Sequence, residues 1–237
     1  MTPDDEVRAV AERYARRGAA ERYSLLRADV WQTVHERQRA VLRLYARLGW
    51  IDLSQRTLIE VGCGGGSNLL EALRLGFAPQ HLTGIELLPE RHADARSRLP
   101  PALTLIAGDA SSAPLQPRSA DIVQVYTVFS SLLDDTFQRR LAERMWSWVK
   151  PGGGVLWYDF TFDNPRNADV RGVPLARVRA LFPQARITSQ RVTLAPPIAR
   201  AVCRAHPALY PLFNALPLLR THLLAWLEKA PATDNSV

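Results

Sequence analysis

The sequence predicts an α/β protein, in which short buried strands alternate with helices and each strand opens at its carboxyl end onto glycine or a carboxylate. Two observations carry this. The run Leu58-Ile59-Glu60-Val61-Gly62-Cys63-Gly64-Gly65-Gly66-Ser67 describes an apolar strand breaking through a glycine turn into a helix. Further short apolar runs follow, two of them ending at Glu86 and at Gly108-Asp109. Strands that read as continuous apolar runs belong to parallel sheets covered on both faces.

In chain order, residues 5–49 read as helices with arginines on one side and the aromatics Tyr14, Tyr23, Trp31 and Tyr45 on another. Val30, Val34, Val41, Leu44 and Leu48 recur at helical intervals, so this segment is expected to pack on the sheet. His35, beside Glu36 and Arg37, reads as a surface residue, although its ordinary pKa would also suit a base.

The strand at 58–61 meets the glycine loop, whose residues permit backbone angles and ligand approach that a Cβ would obstruct. Residues 68–75 then read as a helix, with its first N–H groups directed back over the loop. A dinucleotide fits poorly: its loop wants G-x-G-x-x-G, and here the sixth position is Ser67. Cys63, between glycines, reads as a small loop filler. Residues 82–86 form the next strand, ending in Glu86, a carboxylate suited to accept from ribose hydroxyls. Residues 103–107 lead to Asp109, which either accepts from an exocyclic amino group or caps the turn at Ser111. A strand at 120–126, a turn at 150–154 and a strand at 155–159 complete the series.

The four ordered motifs E-V-G-C-G-G-G at 60–66, I-E at 85–86, G-D-A at 108–110 and K-P-G-G-G at 150–154 resemble those of the class I S-adenosylmethionine-dependent methyltransferases, of the type 11-like kind. The resemblance covers about residues 57–160, with a family-like continuation to 229. It implies a Rossmann-like, seven-stranded, mainly parallel sheet with helices on both faces, preceded by an N-terminal helical segment. It also implies S-adenosyl-L-methionine as cofactor, with S-adenosyl-L-homocysteine as product. Glu60, Gly62, Cys63, Gly64 and Gly65 would then lie beside the methionine part, Glu86 and Leu87 at the ribose, and Asp109 and Ala110 at the adenine. Tyr126 would complete the cofactor site. In similar methyltransferases an N-terminal helical segment often covers the cofactor, which makes Tyr14, Arg22 and Tyr23 candidates for its lining. The division implied is a helical cap at 1–50, a methyltransferase domain at 51–230 with a helical insertion at about 196–218, and a loose tail at 231–237.

A chain of 237 residues can bury a substantial core, and its apolar fraction of 47% is ordinary for a globular enzyme. The acidic amino terminus predicts no signal peptide, and no run approaches the ~18 apolar residues a bilayer requires. Two cysteines, Cys63 and Cys203, argue against a disulfide framework and for a cytoplasmic setting. Residues 164–227 hold nine arginines against the single Asp169. Such charge attracts phosphorylated substrates, nucleic acid or anionic membranes where it clusters, and otherwise only solvates a surface. Nucleic acid is discounted, since no recognition module or aromatic platform interleaves the basic residues. The apolar, proline-punctuated stretch at 194–226 could wall an acceptor pocket, rest on a membrane interface or form core; within it, 221–227 reads as the last strand.

A sulfonium methyl is already electrophilic, so alignment of the acceptor matters most, and a base only for some acceptors. Asp159 and Tyr126, at neighbouring strand ends, are the catalytic candidates, Asp159 as base or as acceptor-positioning group. The loop at 161–167 is expected to add acceptor contacts. Asn164-Pro165 does not match the N-P-P-Y-type signature of amino-group methyltransferases, which belongs after the fourth strand. Asp109, Asp134, Asp135 and Asp159 show no spacing that singles out a cation site, so transfer without metal is expected. The reading is methyl transfer to a small-molecule, glycan or lipid-linked acceptor, oxygen preferred, with peripheral membrane contact as a possibility. An NAD-type oxidoreductase and a non-catalytic binding subunit of the same fold are the alternatives.

Overall fold

The computed structural model describes residues 3–16, 24–163, 165 and 167–231. Seven strands form one sheet in the order β3-β2-β1-β4-β5-β7-β6: β1 (Leu58–Val61), β2 (Leu82–Glu86), β3 (Thr104–Ala107), β4 (Ala120–Tyr126), β5 (Val149–Phe160), β6 (Arg186–Leu194) and β7 (Arg220–Glu228). The first five run parallel, and β7 is the reversed strand, antiparallel to both β5 and β6. The seven-stranded, mainly parallel α/β architecture expected from sequence is therefore present.

Burial explains the order. All four residues of β1 are buried, Ile59 and Val61 in one core and Leu58 in the other, as a central strand requires. The first core gathers under α1 (Pro3–Ala15), α5 (Asp135–Trp148) and α6 (Leu175–Leu181), through Val10, Leu141 and Val178. The opposite core lies under α2 (Ala28–Arg47), α3 (Ser67–Arg74) and α4 (Pro89–Arg98), through Leu44, Leu69 and Ala95. Ala40, Val41, Leu44 and Tyr45 are the buried stripe of α2, near the interval read from the sequence. Glu36 on the same helix accepts from the Thr193 backbone N–H at 2.9 Å, fastening α2 to β6.

The lysine-proline-glycine run was expected to form a turn ahead of the fifth strand, and here the structure corrects the sequence. Residues 149–160 form one strand, with an irregularity at its start: Ala120 pairs with Val149 and Ile122 with Gly154, so β5 bulges. Gly152 has φ +79°, and a Cβ on Gly153 would lie 2.6 Å from the Asp121 carbonyl oxygen. Glycine is used to bring strands together, not to reverse the chain. The bulge is held from Lys150, whose Nζ donates to Asp121 at 2.8 Å and to Thr57 Oγ1 at 2.9 Å. Burial alone would raise the Asp121 carboxyl, but Lys150 and the Thr57 N–H and hydroxyl hold it down to about 2.

Between β6 and β7 the chain makes α7 (Pro196–Ala205), α8 (Tyr210–Asn214) and short 3-10 turns on either side of α8. Among the described residues no helix is long and apolar enough to cross a membrane.

Candidate functional site

The glycine loop departs from β1 because three of its glycines take left-handed angles: φ is +68° at Gly62, +57° at Gly64 and +80° at Gly66. A Cβ at Gly62 would sit 2.6 Å from Cγ2 of Val128, just past β4, so this position admits only hydrogen. The N–H groups of Gly62 and Cys63 both donate to the Ile85 carbonyl, at 2.9 and 3.0 Å, which ties the loop to β2. Gly66 then leads into α3.

Glu86, at the carboxyl end of β2, is 3% exposed. Its Oε2 accepts from the Gly64 N–H at 2.7 Å and its Oε1 from the Leu88 N–H at 2.9 Å. A carboxylate has about four acceptor positions, so two hydrogen bonds leave capacity for ligand hydroxyls. Asp109, after β3, caps the turn at Ser111 through that residue's N–H at 2.8 Å and pairs with Arg140 of α5 at 2.9 Å. The capping reading of Asp109 is thus realised, and the residue still lines the cleft.

These groups meet in one cleft of about 110 Å³ at the carboxyl edge of the sheet. Its floor is Val61, Gly62, Ile85 and Glu86; its sides include Gly108 to Ala110 and Tyr126 to Val128. Its roof is α1, through Val7, Val10 and Tyr14. The roof is pinned by two almost fully buried charges: Arg13 donates to Glu6 at 2.6 Å and to the Ser131 carbonyl at 3.0 Å, while Glu6 accepts from the Leu133 N–H at 2.8 Å.

Of the residues predicted for the cofactor, Gly62, Glu86, Leu87, Asp109, Ala110 and Tyr126 line the cleft. Glu60, Cys63, Gly64 and Gly65 do not. Strand alternation sends Glu60 to the face opposite Val61, and Cys63 turns into the core beneath Gly84. Gly64 contributes its N–H to Glu86 from the cleft's border, and Gly65 faces Asp94 of α4. Tyr14 lines the cleft as anticipated; Arg22 and Tyr23 lie outside the described residues, as do Asn164 and Arg166. The sequence reading missed Arg91, which lies over both Gly64 and the ring of Tyr14, and the α1 residues Val7 and Val10. The i, i+3, i+7 spacing of Val7, Val10 and Tyr14 was the available signal.

A second polar cluster lies against the other face of the sheet. Asn68 donates to Glu60 at 2.6 Å and accepts from Arg37 at 2.9 Å. The Arg37 guanidinium lies 4.8 Å from the centre of the Tyr126 ring and 5.1 Å from that of Tyr158. Burial pushes the Glu60 carboxyl up to about 7, against the pull of Asn68, Gln124 and Arg37. Burial also raises the Tyr126 phenol and lowers His222, stacked 4.9 Å from Tyr158, to about 3. His222 is therefore a neutral imidazole.

Asp159, the leading catalytic candidate, is 1% exposed and lies behind the cleft wall. Its oxygens accept from the N–H groups of Ser130, at 3.0 Å, and Phe160, at 2.9 Å, and burial raises it to about 7. It thereby fixes the turn whose next residue, Ser131, lines the cleft. His35 Nδ1 donates to the Trp31 carbonyl at 2.8 Å, outside the cleft lining. No three His, Cys, Asp or Glu converge on a cation position among the described residues.

Residues 58–153 match the model of a methyltransferase domain family. A search of curated protein sequences gave no match. Among solved structures, the chain is similar to the 1,6-didemethyltoxoflavin-N1-methyltransferase of Burkholderia thailandensis, solved with 1,6-didemethyltoxoflavin and S-adenosylhomocysteine: 17% identity, 97% of this chain and 91% of that one, TM-score 0.63. It is also similar to a SAM-dependent methyltransferase of Archaeoglobus fulgidus, at 13% identity over 81% and 94% of the two chains, TM-score 0.58. A third is the geranyl diphosphate C-methyltransferase of Streptomyces coelicolor A3(2), at 14% identity over 80% and 77%, TM-score 0.58. At these identities the likeness establishes the fold.

Proposed function

We propose that this chain is a class I S-adenosylmethionine-dependent methyltransferase and that it transfers a methyl group to an oxygen of a small-molecule acceptor. The observation that carries the cofactor assignment is the meeting of Gly62, which has no room for a Cβ, with the buried Glu86 carboxylate in one cleft. The residues fit the group. Glu86 would hold the ribose hydroxyls, Ala110 with Asp109 the adenine, and the main chain at Gly62 the methionine part, under the roof of α1.

When bound, S-adenosylmethionine supplies an electrophilic methyl carbon on a sulfonium. The chain itself orients and excludes water. Val7, Val10 and Tyr14 cover the cleft, while Tyr126 and Ser131 border it where an acceptor would enter. Asp159 acts as a positioning residue, fixing residues 129–131 through the Ser130 N–H.

Titration calorimetry with S-adenosylmethionine and, separately, NAD tests this. The methyl donor should bind, and Glu86→Ala should weaken it by about 1.5–3 kcal/mol, the scale for hydrogen bonds to a charged group. Binding of NAD alone would overturn the reading in favour of an oxidoreductase. Donor binding without transfer across a broad panel of hydroxyl, amine and carbon acceptors would instead identify a non-catalytic subunit.

A further inference from the structure

We propose that the helical insertion between β6 and β7 docks this protein on an anionic lipid surface. The methyl acceptor, on the reading above, is then a molecule carried in that surface. The topology places the insertion. Because β7 is antiparallel to β5, Phe160 pairs with His222 and Asp159 with Leu223, so residues 196–219 emerge at the carboxyl edge of the sheet, where the cleft also opens.

The insertion exposes what a fold ordinarily buries. Eleven large hydrophobic residues are exposed among the described residues, and five of them fall within 209–218. Leu212 is 67% exposed, Leu216 55% and Leu218 89%, while Tyr210 and Asn214 alone in that stretch turn inward. Apolar groups gathered this densely at a surface mark an interaction site. Pro207, Pro211 and Pro217 offer no N–H to a partner, so the stretch presents hydrocarbon with few hydrogen-bond donors.

Charge decides the occupant. The insertion itself, residues 196–219, carries Arg200 and Arg204 and no aspartate or glutamate. Arg200 and Arg204, exposed on α7, border a shallow depression that also holds the Arg27–Asp29 ion pair (3.2 Å), next to Leu26, which is 98% exposed. Neither Arg200 nor Arg204 forms an ion pair among the described residues. A second copy meeting the same patch across a two-fold axis would gather four unpaired arginines around two carboxylates that Arg27 already neutralises. Anionic headgroups satisfy both parts of the surface at once: phosphates the arginines, the acyl boundary the leucines.

The full chain is sedimented with vesicles of phosphatidylcholine alone, and of phosphatidylcholine mixed with phosphatidylglycerol, at low and high salt. We expect binding to the anionic vesicles only, weakened by salt. The double variant Arg200→Glu/Arg204→Glu should cut partitioning by about twentyfold or more, at about fivefold per arginine lost. Leu212→Glu/Leu218→Glu should reduce it at least about tenfold. Unchanged melting and unchanged calorimetric donor binding establish that both variants are folded. Equal binding to neutral vesicles, no binding at low salt, or indifference to both variants would overturn the proposal. So would a concentration-dependent dimer that Leu212→Glu/Leu218→Glu dissolves. Donor binding without vesicle binding removes the docking surface alone, whereas vesicle binding without donor binding removes the methyltransferase reading alone.

Discussion

Glu60→Gln isolates the cost of one buried charge. Glu60 is fully buried, its Oε1 takes the Asn68 N–H at 2.6 Å, and its Oε2 has no partner. Its carboxyl is raised from 4.5 to about 7, chiefly by burial. A carboxyl whose pKa is higher in the folded chain holds its proton more tightly there, so its contribution is intact below about 4.5 and is lost as pH rises to about 7. That loss amounts to at most about 3 kcal/mol. Glutamine keeps the acceptor for Asn68 and never ionises. Urea unfolding of both proteins from pH 4.5 to 8 should therefore show near-equal stability at the acid end and a Glu60→Gln variant more stable by up to about 3 kcal/mol at pH 8. Asp159 titrates in the same range in both proteins and cancels in the difference. A difference independent of pH would refute a buried Glu60 that holds its proton more tightly in the folded chain.

Three further outcomes bear on the cleft and its frame. Glu6→Gln breaks the buried pair with Arg13, a change that in a protein interior costs about 3–5 kcal/mol. Because α1 is a roof, the expected readout is faster amide exchange through residues 3–15 with weaker donor binding, and unchanged protection there would count against the clamp. Gly62→Ala should destabilise the fold by about 1–3 kcal/mol, since its left-handed angle and its contact with Val128 both resist a Cβ. Adding Val128→Ala should restore part of the loss; no recovery would show that close approach is not the cause. Asp121→Ala removes the anchor of the β5 bulge and should cost about 2–3 kcal/mol at pH 7. In the parent chain, Asp121 is depressed to about 2, so its contribution should fade as pH falls from about 4 toward 2, and an acid unfolding curve unaltered by the substitution would contradict this.

The amino-acid order by itself determined the elements whose signal is local. The strands at 82–86 and 120–126 occur at the residues expected, because an apolar run bounded by a turn and a terminal acid is recorded within one short window. The left-handed loop after Val61 was legible for the same reason: consecutive glycines act on their own backbone angles. Only the tertiary structure decided which side chains meet. Glycines at 152–154 suggested a turn, yet pairing with β4 and β7 carries the strand through them, and Gly154 is bare because the Trp226 ring lies where its Cβ would be. Glu60 stands one residue from the cleft and faces away from it, since the pleat alternates. Val7, Val10 and Tyr14 show their helical interval in the sequence, but nothing within that helix says which surface it will cover. That choice rests on Ser131 and Leu133, more than a hundred residues distant from Arg13 and Glu6. Backbone conformation answers to neighbours along the chain; convergence of a site answers to contacts that form only when distant segments have packed.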